Sequence, residues 1–261
     1  KAVIAVHMLG TPARIEKIRE ICNKKKIYLI EDTAWGCGGN LKNVPLGTWG
    51  DVGTFSFDFA KTITTGEGGM VIFKNKINYK KACAWHDHGH ENNPLVPRWE
   101  DTRSSSGFNY RMMELQAAVG LAQLKKLSYI VDKQREQRDR IWENIKDIHG
   151  IEKRHSPNGT FDTADALVFF VKNEEIAKGF RNNLLEMGVS TKILPEAYTW
   201  HFAGTWNHMD KLNGNYKNIS KNFFKKSEEL LKRSVSIPIN INNDDNKADK
   251  VRRSLLKTLN I

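Results

Sequence analysis

No stretch of this chain stays apolar for the length that a bilayer crossing requires, so a membrane-spanning helix is not expected and no membrane partner is implied. Cysteine is scarce. Cys22, Cys37 and Cys83 are odd in number and unpatterned, which argues against a disulfide framework and predicts reduced thiols in a cytoplasmic protein. They form no metal-binding motif. Internal repeats and low-complexity tracts are also missing. Acids are in deficit, with 30 Asp and Glu against 41 Lys and Arg for a net charge of +11. The basic residues are scattered, however, and their densest runs, Asn23–Lys26 and Lys221–Lys226, fall at a helix end and on a helix face. Solvated surface explains both, so no nucleic-acid partner is expected, although an anionic small substrate is electrostatically welcome. What is present is 39% hydrophobic residues, enough for a real core in one large or two modest α/β domains.

The most informative residue is Lys61. An apolar strand, Val52 to Phe57, leads into it. A glycine-dense turn, Gly66-Glu67-Gly68-Gly69, and a second strand, Met70 to Phe73, lead out. That setting fixes an amine on a rigid turn beside a sheet, where it can hold an aldehyde cofactor as a Schiff base, with Thr62, Thr64 and Thr65 adding hydroxyls without bulk.

About thirty residues upstream, Ile27-Tyr28-Leu29-Ile30 reads as a buried parallel strand with Glu31 and Asp32 at its carboxyl end, where open α/β sheets place their ligand crevice. An acid there either caps the strand toward water or pairs with a protonated pyridine nitrogen and makes the ring an electron sink. The presence of Lys61 at this distance favours the second role for Asp32.

Three segments in order, Ile30-Glu31-Asp32-Thr33-Ala34, Gly47 to Phe57 with Lys61 and Gly66–Gly69, and Gly107-Phe108-Asn109-Tyr110-Arg111 to Ala118, resemble the DegT/DnrJ/StrS family of pyridoxal-phosphate-dependent sugar aminotransferases. Val235-Ser236-Ile237-Pro238 is similar to a strand near the C-terminus of such proteins. The resemblance implies the type I, aspartate-aminotransferase-like α/β fold. It implies pyridoxal 5'-phosphate as cofactor, with Lys61 as the Schiff-base lysine and proton shuttle, Asp32 on the pyridine nitrogen and Ser56 on the phosphate. Asn109 would reach the phosphate bound by the neighbouring subunit, so a homodimer is implied. Hydroxyl and amide donors suit phosphate oxygens, and an ionised Asp offers only acceptors.

Two departures from the family pattern stand out. Trp35 occupies the place of a polar residue that contacts the ring hydroxyl, and an indole donates only through its ring N–H; Trp35 is expected to pack around the cofactor instead. The chain also opens with Lys1, directly in a strand, where the family has further residues supplying a phosphate loop and a ring-stacking group. The expectation is therefore a C-terminal portion of such an enzyme.

Elements read from pattern are a strand Ala2 to Val6, then Thr11 as N-cap and Pro12 as first residue of a helix to about Lys25, with Ile15, Ile18, Ile21 and Cys22 on its core face. A long helix from about Lys126 to Asp147 follows the Lys61 region. Beyond it come a strand Ala166 to Val171, helices Glu174 to Met187 and Asn218 to Lys232, a strand Val235 to Pro238, and a closing helix Asp244 to Leu259. The domains are placed at 1–125, the C-terminal part of a large cofactor-binding domain, and 126–261, a smaller α/β domain.

The loop Trp85-His86-Asp87-His88-Gly89-His90-Glu91 alternates histidines with acids, but a zinc site needs a second ligand pair elsewhere and none is visible. The loop is expected to line or lid a substrate pocket. With Trp200-His201 and Trp206-Asn207-His208 it is similar to a subgroup that makes 8-amino-3,8-dideoxy-manno-octulosonate, a lipopolysaccharide sugar acid, from the 8-oxo sugar and glutamate. Amination of a nucleotide-linked keto-sugar is the alternative. The expected partners are thus a small-molecule sugar and an amino-acid donor. Dehydratase relatives carry His in place of the lysine, so Lys61 argues against that activity. A non-catalytic dimerisation or binding fragment is the remaining alternative.

Overall fold

The computed structural model describes residues 1–206, 224–242 and 246–261, which form two compact units. The first comprises Lys1–Asp132 and Ser156–Thr163, the second Lys133–His155 and Ala164–Ile261.

In the first unit β1 (Ala2–Val6), β2 (Tyr28–Asp32), β5 (Val52–Ser56) and β6 (Gly69–Phe73) lie side by side in the order β1-β2-β5-β6. The first three run parallel and β6 closes the edge antiparallel to β5. A short ladder of β3 (Asn40–Leu41), β4 (Val44–Pro45) and β8 (Thr160–Phe161) stands beside them. Helix α1 (Ile15–Lys25) makes the crossover from β1 to β2. Its Ile15 and Cys22 pack with Ala5, Leu29, Leu41 and Leu46, and Ile18 joins them.

Register decides which side chains share a face. Val6 pairs with Asp32, and Asp32 with Thr54. Because side chains alternate along a strand, Val6, Asp32, Thr54 and Ser56 project from one face, and Ala5, Glu31 and Gly53 from the other, which α1 covers. The face bearing Asp32 is open. Ile4, Val6 and Tyr28 on it are exposed.

Two sequence expectations for α1 are corrected. The helix starts at Ile15 with Arg14 at the cap position, and Thr11 is extended. The Ala13 N–H is taken by His7 Nδ1 at 3.1 Å and the Thr11 hydroxyl turns to Asp162, so tertiary partners displace the local cap. Ile21 is exposed. At 100° per residue it lies well off the stripe of Ile15, Ile18 and Cys22.

Helix α2 (Lys76–His86) follows β6, capped by Asn75, whose Oδ1 accepts from the Ile77 and Asn78 amides. Residues 87–111 then form a strap, and α3 (Glu114–Leu124) and α4 (Leu127–Ile145) follow. In the second unit β9 (Ala166–Phe170) is the centre of an antiparallel sheet, between β10 (Ser234–Pro238) and β7 (Glu152–Lys153). Helices α5 (Glu174–Glu186), α6 (Lys225–Lys232) and α7 (Lys247–Leu259) complete it. All of β9 is buried, and its Leu167 and Phe169 pack with Ile141, Ile145, Phe180, Leu184, Val235, Ile237 and Leu255. Residues 218–223 of the expected helix from Asn218, and residues 244–245 of the closing one, lie outside the described residues. No described helix is long and apolar enough to cross a membrane.

Candidate active site

The chain after β5 folds back on itself. Phe57 donates its N–H to the Gly68 carbonyl at 2.9 Å, and Thr65 donates to the Phe57 carbonyl at 2.9 Å. Inside this closed loop the Ser56 hydroxyl accepts from the Asp58 amide at 3.4 Å. The Asp58 carboxylate accepts from the Ala60 amide at 2.7 Å, and the Lys61 amide donates to the Asp58 carbonyl at 3.1 Å. Ile63 buries its side chain beneath the turn, and the Thr64 hydroxyl donates back to the Phe57 carbonyl at 3.1 Å. The backbone carrying Lys61 is thus over-determined by short-range bonds. At Gly68, φ is +157° and a Cβ would lie 2.5 Å from Thr65 Oγ1, so this turn admits glycine alone.

The Lys61 amine lies over the Trp35 ring, 4.0 Å from its centre. An ammonium is drawn to the negative face of an indole, which gives the side chain a preferred resting place. Trp35 is itself anchored. Its carbonyl accepts from the Thr163 hydroxyl at 2.8 Å, in the loop that follows β2. Asp32, at the end of β2, accepts the Ala34 N–H on Oδ1 at 3.1 Å and stays half-buried on the open face. Ser56 stands on that same face, where its hydroxyl accepts from the Asp58 amide and keeps one O–H to donate. The structure thus brings Asp32 and Ser56 to one sheet face and Lys61 to Trp35. Asn109 comes from elsewhere: it is exposed on the strap, bridged to Asp87, with Oδ1 accepting from the Arg111 amide at 3.4 Å.

Sequence reading passed over two clusters. Behind Asp32, on the covered face, His7 and Glu31 are both fully buried and bonded, His7 Nε2 to Glu31 Oε2, at 2.9 Å. Burial opposes ionisation of Glu31, but the bonds from His7 and the Gly50 and Gly47 amides outweigh it and hold the carboxyl below the ordinary glutamate range. In the strap, buried Asp87 takes both terminal nitrogens of Arg98, at 3.0 and 2.7 Å, and also Arg111. The Arg98 bond, and then that of Arg111, hold Asp87 far below the usual carboxylate range against the cost of burial. His90 pairs with Asp101 at 3.2 Å. Two members of the acid–histidine loop are therefore committed within the strap, Asp87 to an ion pair and His90 to a hydrogen bond. No signal in the sequence links Asp87 to Arg98 and Arg111, because nothing there fixes the path of the loop. Trp200 is exposed and Trp206 donates to the Thr199 carbonyl, while Asn207 and His208 lie outside the described residues.

An amine on a rigid turn with an aromatic face under it, and a carboxylate and a hydroxyl on the adjoining sheet face, match the needs of a phosphorylated pyridine aldehyde. Residues 1–256 match the DegT/DnrJ/EryC1/StrS aminotransferase family, and the chain belongs to it. The family's aminotransferases depend on pyridoxal phosphate. The chain is 34% identical over 203 residues to GDP-perosamine synthase of Escherichia coli O157:H7, covering 77% of this chain and 53% of that protein. It is 25% identical over 264 residues to UDP-4-amino-4,6-dideoxy-N-acetyl-beta-L-altrosamine transaminase of Helicobacter pylori, covering 99% and 66%. Several curated relatives are thus matched over about half of their length. Among solved structures, an aminotransferase involved in the biosynthesis of pseudoaminic acid from Helicobacter pylori superposes with a TM-score of 0.84 at 21% identity, over all of this chain and 67% of that one. The aminotransferase TlmJ from Streptoalloteichus hindustanus gives 0.82 at 23%, over 100% and 66%. At these identities the structural likeness speaks for the type I fold.

Proposed function

We propose that this chain carries the lysine-bearing part of a sugar aminotransferase that moves an amino group from an amino acid, glutamate in our reading, to a keto or aldehyde sugar. The observation that carries this reading is the Lys61 amine, held on a closed turn beside the sheet face that presents Asp32 and Ser56. When bound, pyridoxal phosphate supplies an aldehyde and an electron-withdrawing ring. Lys61 would hold it covalently and carry protons on Nζ; Asp32 would accept the ring N–H on Oδ2; Ser56 would donate to phosphate. Trp35 would bound the site on the lysine's side. Asn109, exposed on the strap, would serve the site of a second subunit.

For the acceptor, a nucleotide-linked keto-sugar is supported by the relatives, whose names refer to GDP- and UDP-linked sugars. The alternative is 8-oxo-3-deoxy-manno-octulosonate, which rests on the strap and on Trp200-His201. Since Asp87 and His90 are engaged within the strap, their residue types are accounted for without a substrate. Offering a GDP- or UDP-linked 4-keto-sugar and the eight-carbon aldehyde side by side, with glutamate as donor, separates the two. Turnover of the nucleotide-linked sugar alone supports the first reading, and turnover of the octulosonate alone replaces it.

A further inference from the structure

Glu31 is fully buried, and among the described residues no Lys or Arg pairs with it. Its carboxylate accepts three N–H groups, from His7 Nε2 at 2.9 Å, Gly47 at 2.9 Å and Gly50 at 2.6 Å. His7 Nδ1 accepts from the Ala13 amide, so the ring proton resides on Nε2 and points at Glu31. The imidazole is thereby neutral and Glu31 an anion whose charge is met by fixed dipoles. The main chain of His7 adds a further tie, donating to the Asp32 carbonyl at 3.0 Å. The Gly47 loop is pressed onto the neighbouring strand so closely that a Cβ at Gly53, the register partner of Glu31, would lie 2.1 Å from the Gly47 oxygen.

Three segments therefore meet at one carboxylate, the end of β1, the Gly47–Gly50 loop and β2, and the entry to α1 is tied to them through His7. The next residue along β2 is Asp32, on the opposite face. We propose that Glu31 and His7 are a positioning pair that fixes the end of β2 from behind and so sets the direction of the Asp32 carboxylate, a role that rests on the assignment of Asp32 to the cofactor nitrogen. An unpinned β2 end would let Asp32 turn with its peptide, and a carboxylate that must meet one N–H in line tolerates little rotation.

The Ala34 amide, bonded to Asp32 Oδ1, reports the direction of that carboxylate without any cofactor. In Glu31→Gln one oxygen becomes an NH2 facing a donor, so hydrogen exchange in the full chain without cofactor should quicken about tenfold or more at Ala34, Gly47 and Gly50, with α1 and the β5–β6 ladder unchanged. His7→Gln keeps a donor for Glu31 and an acceptor for Ala13 and should stay within about threefold of wild type, whereas His7→Leu should follow Glu31→Gln. Affinity for added pyridoxal phosphate should fall by about tenfold in the two disruptive variants alone. Unchanged exchange at Ala34 overturns the proposal. So does a uniform rise at all amides, or failure of every variant to fold, since either assigns the pair to stability alone. If exchange behaves as expected but wild type takes up no pyridoxal phosphate, the functional reading fails and only the pinning of the β2 end by Glu31 and His7 stands. If wild type takes it up and Ala34 is indifferent, the reverse holds.

Discussion

The Nζ of Lys61 rests 4.0 Å from the centre of the Trp35 ring. The contact joins the two residues that sequence reading treated separately, one as the chemical centre and the other as an anomaly. A polar side chain at position 35 would offer a hydrogen bond; the indole instead offers a face, and the amine occupies it. Without the ring, the amine should be freer in solution. Trp35→Leu should raise the labelling rate of Lys61 by an amine-acylating reagent about two- to fivefold, the equivalent of the roughly 0.5–1 kcal/mol of a partly exposed cation–π contact, and Trp35→Phe should raise it less. Peptide mass spectrometry of the labelled chain reads this out. Equal rates in all three proteins would remove Trp35 from the site.

The strap depends on Asp87. Its folded-state acidity is depressed by Arg98 and Arg111, so its contribution is present above the unfolded aspartate value and is lost as pH falls through the lower folded one. Limited proteolysis of residues 91–108 should therefore stay slow from neutrality through pH 4 and quicken only in stronger acid, whereas Asp87→Asn should be cut readily at neutral pH. A wild-type strap that opens between pH 6 and 5 would contradict Asp87 as the controlling group.

If Asn109 serves the partner's site, mixing Lys61→Ala and Asn109→Ala subunits in equal amounts should restore about a quarter of the wild-type sites, since half of the dimers are mixed and each has one intact site. Mixed dimers that form without any gain over their parents would mean that Asn109 acts within its own subunit or not at all.

Gly53 tests the packing behind Asp32. Its Cβ space is filled by the Gly47 carbonyl, so Gly53→Ala should cost about 1–3 kcal/mol in urea unfolding. Restoration of the lost stability is not expected from shortening side chains nearby, because the obstacle is backbone.

Much of this architecture can be read from sequence because it is local. The apolar runs of β1, β2 and β9 and the stripe of Ile15, Ile18 and Cys22 each carry their own period, and Lys61 announces itself through the strand and glycines around it. The Thr11 cap failed because a buried imidazole competes for the Ala13 amide, and that imidazole comes from another element. The His7–Glu31 pair was illegible for the same reason. Twenty-four residues separate the two, and only the parallel register that sets Val6 against Asp32 brings them together. Glu31 and Asp32 look alike on paper, and it is the alternation of the strand that sends one into the core and the other to the open face.

The central claim is that Lys61 holds the cofactor, and a spectrophotometric titration with pyridoxal phosphate tests it most directly. Wild type should develop a visible absorption band above that of the free aldehyde, reducible with borohydride to a stable adduct that peptide mapping places on Lys61. Asp32→Ala should keep part of the band and lose most turnover, while Lys61→Ala should show neither band nor adduct. A band and adduct of wild-type strength in Lys61→Ala, or turnover unchanged by that substitution, would contradict the account.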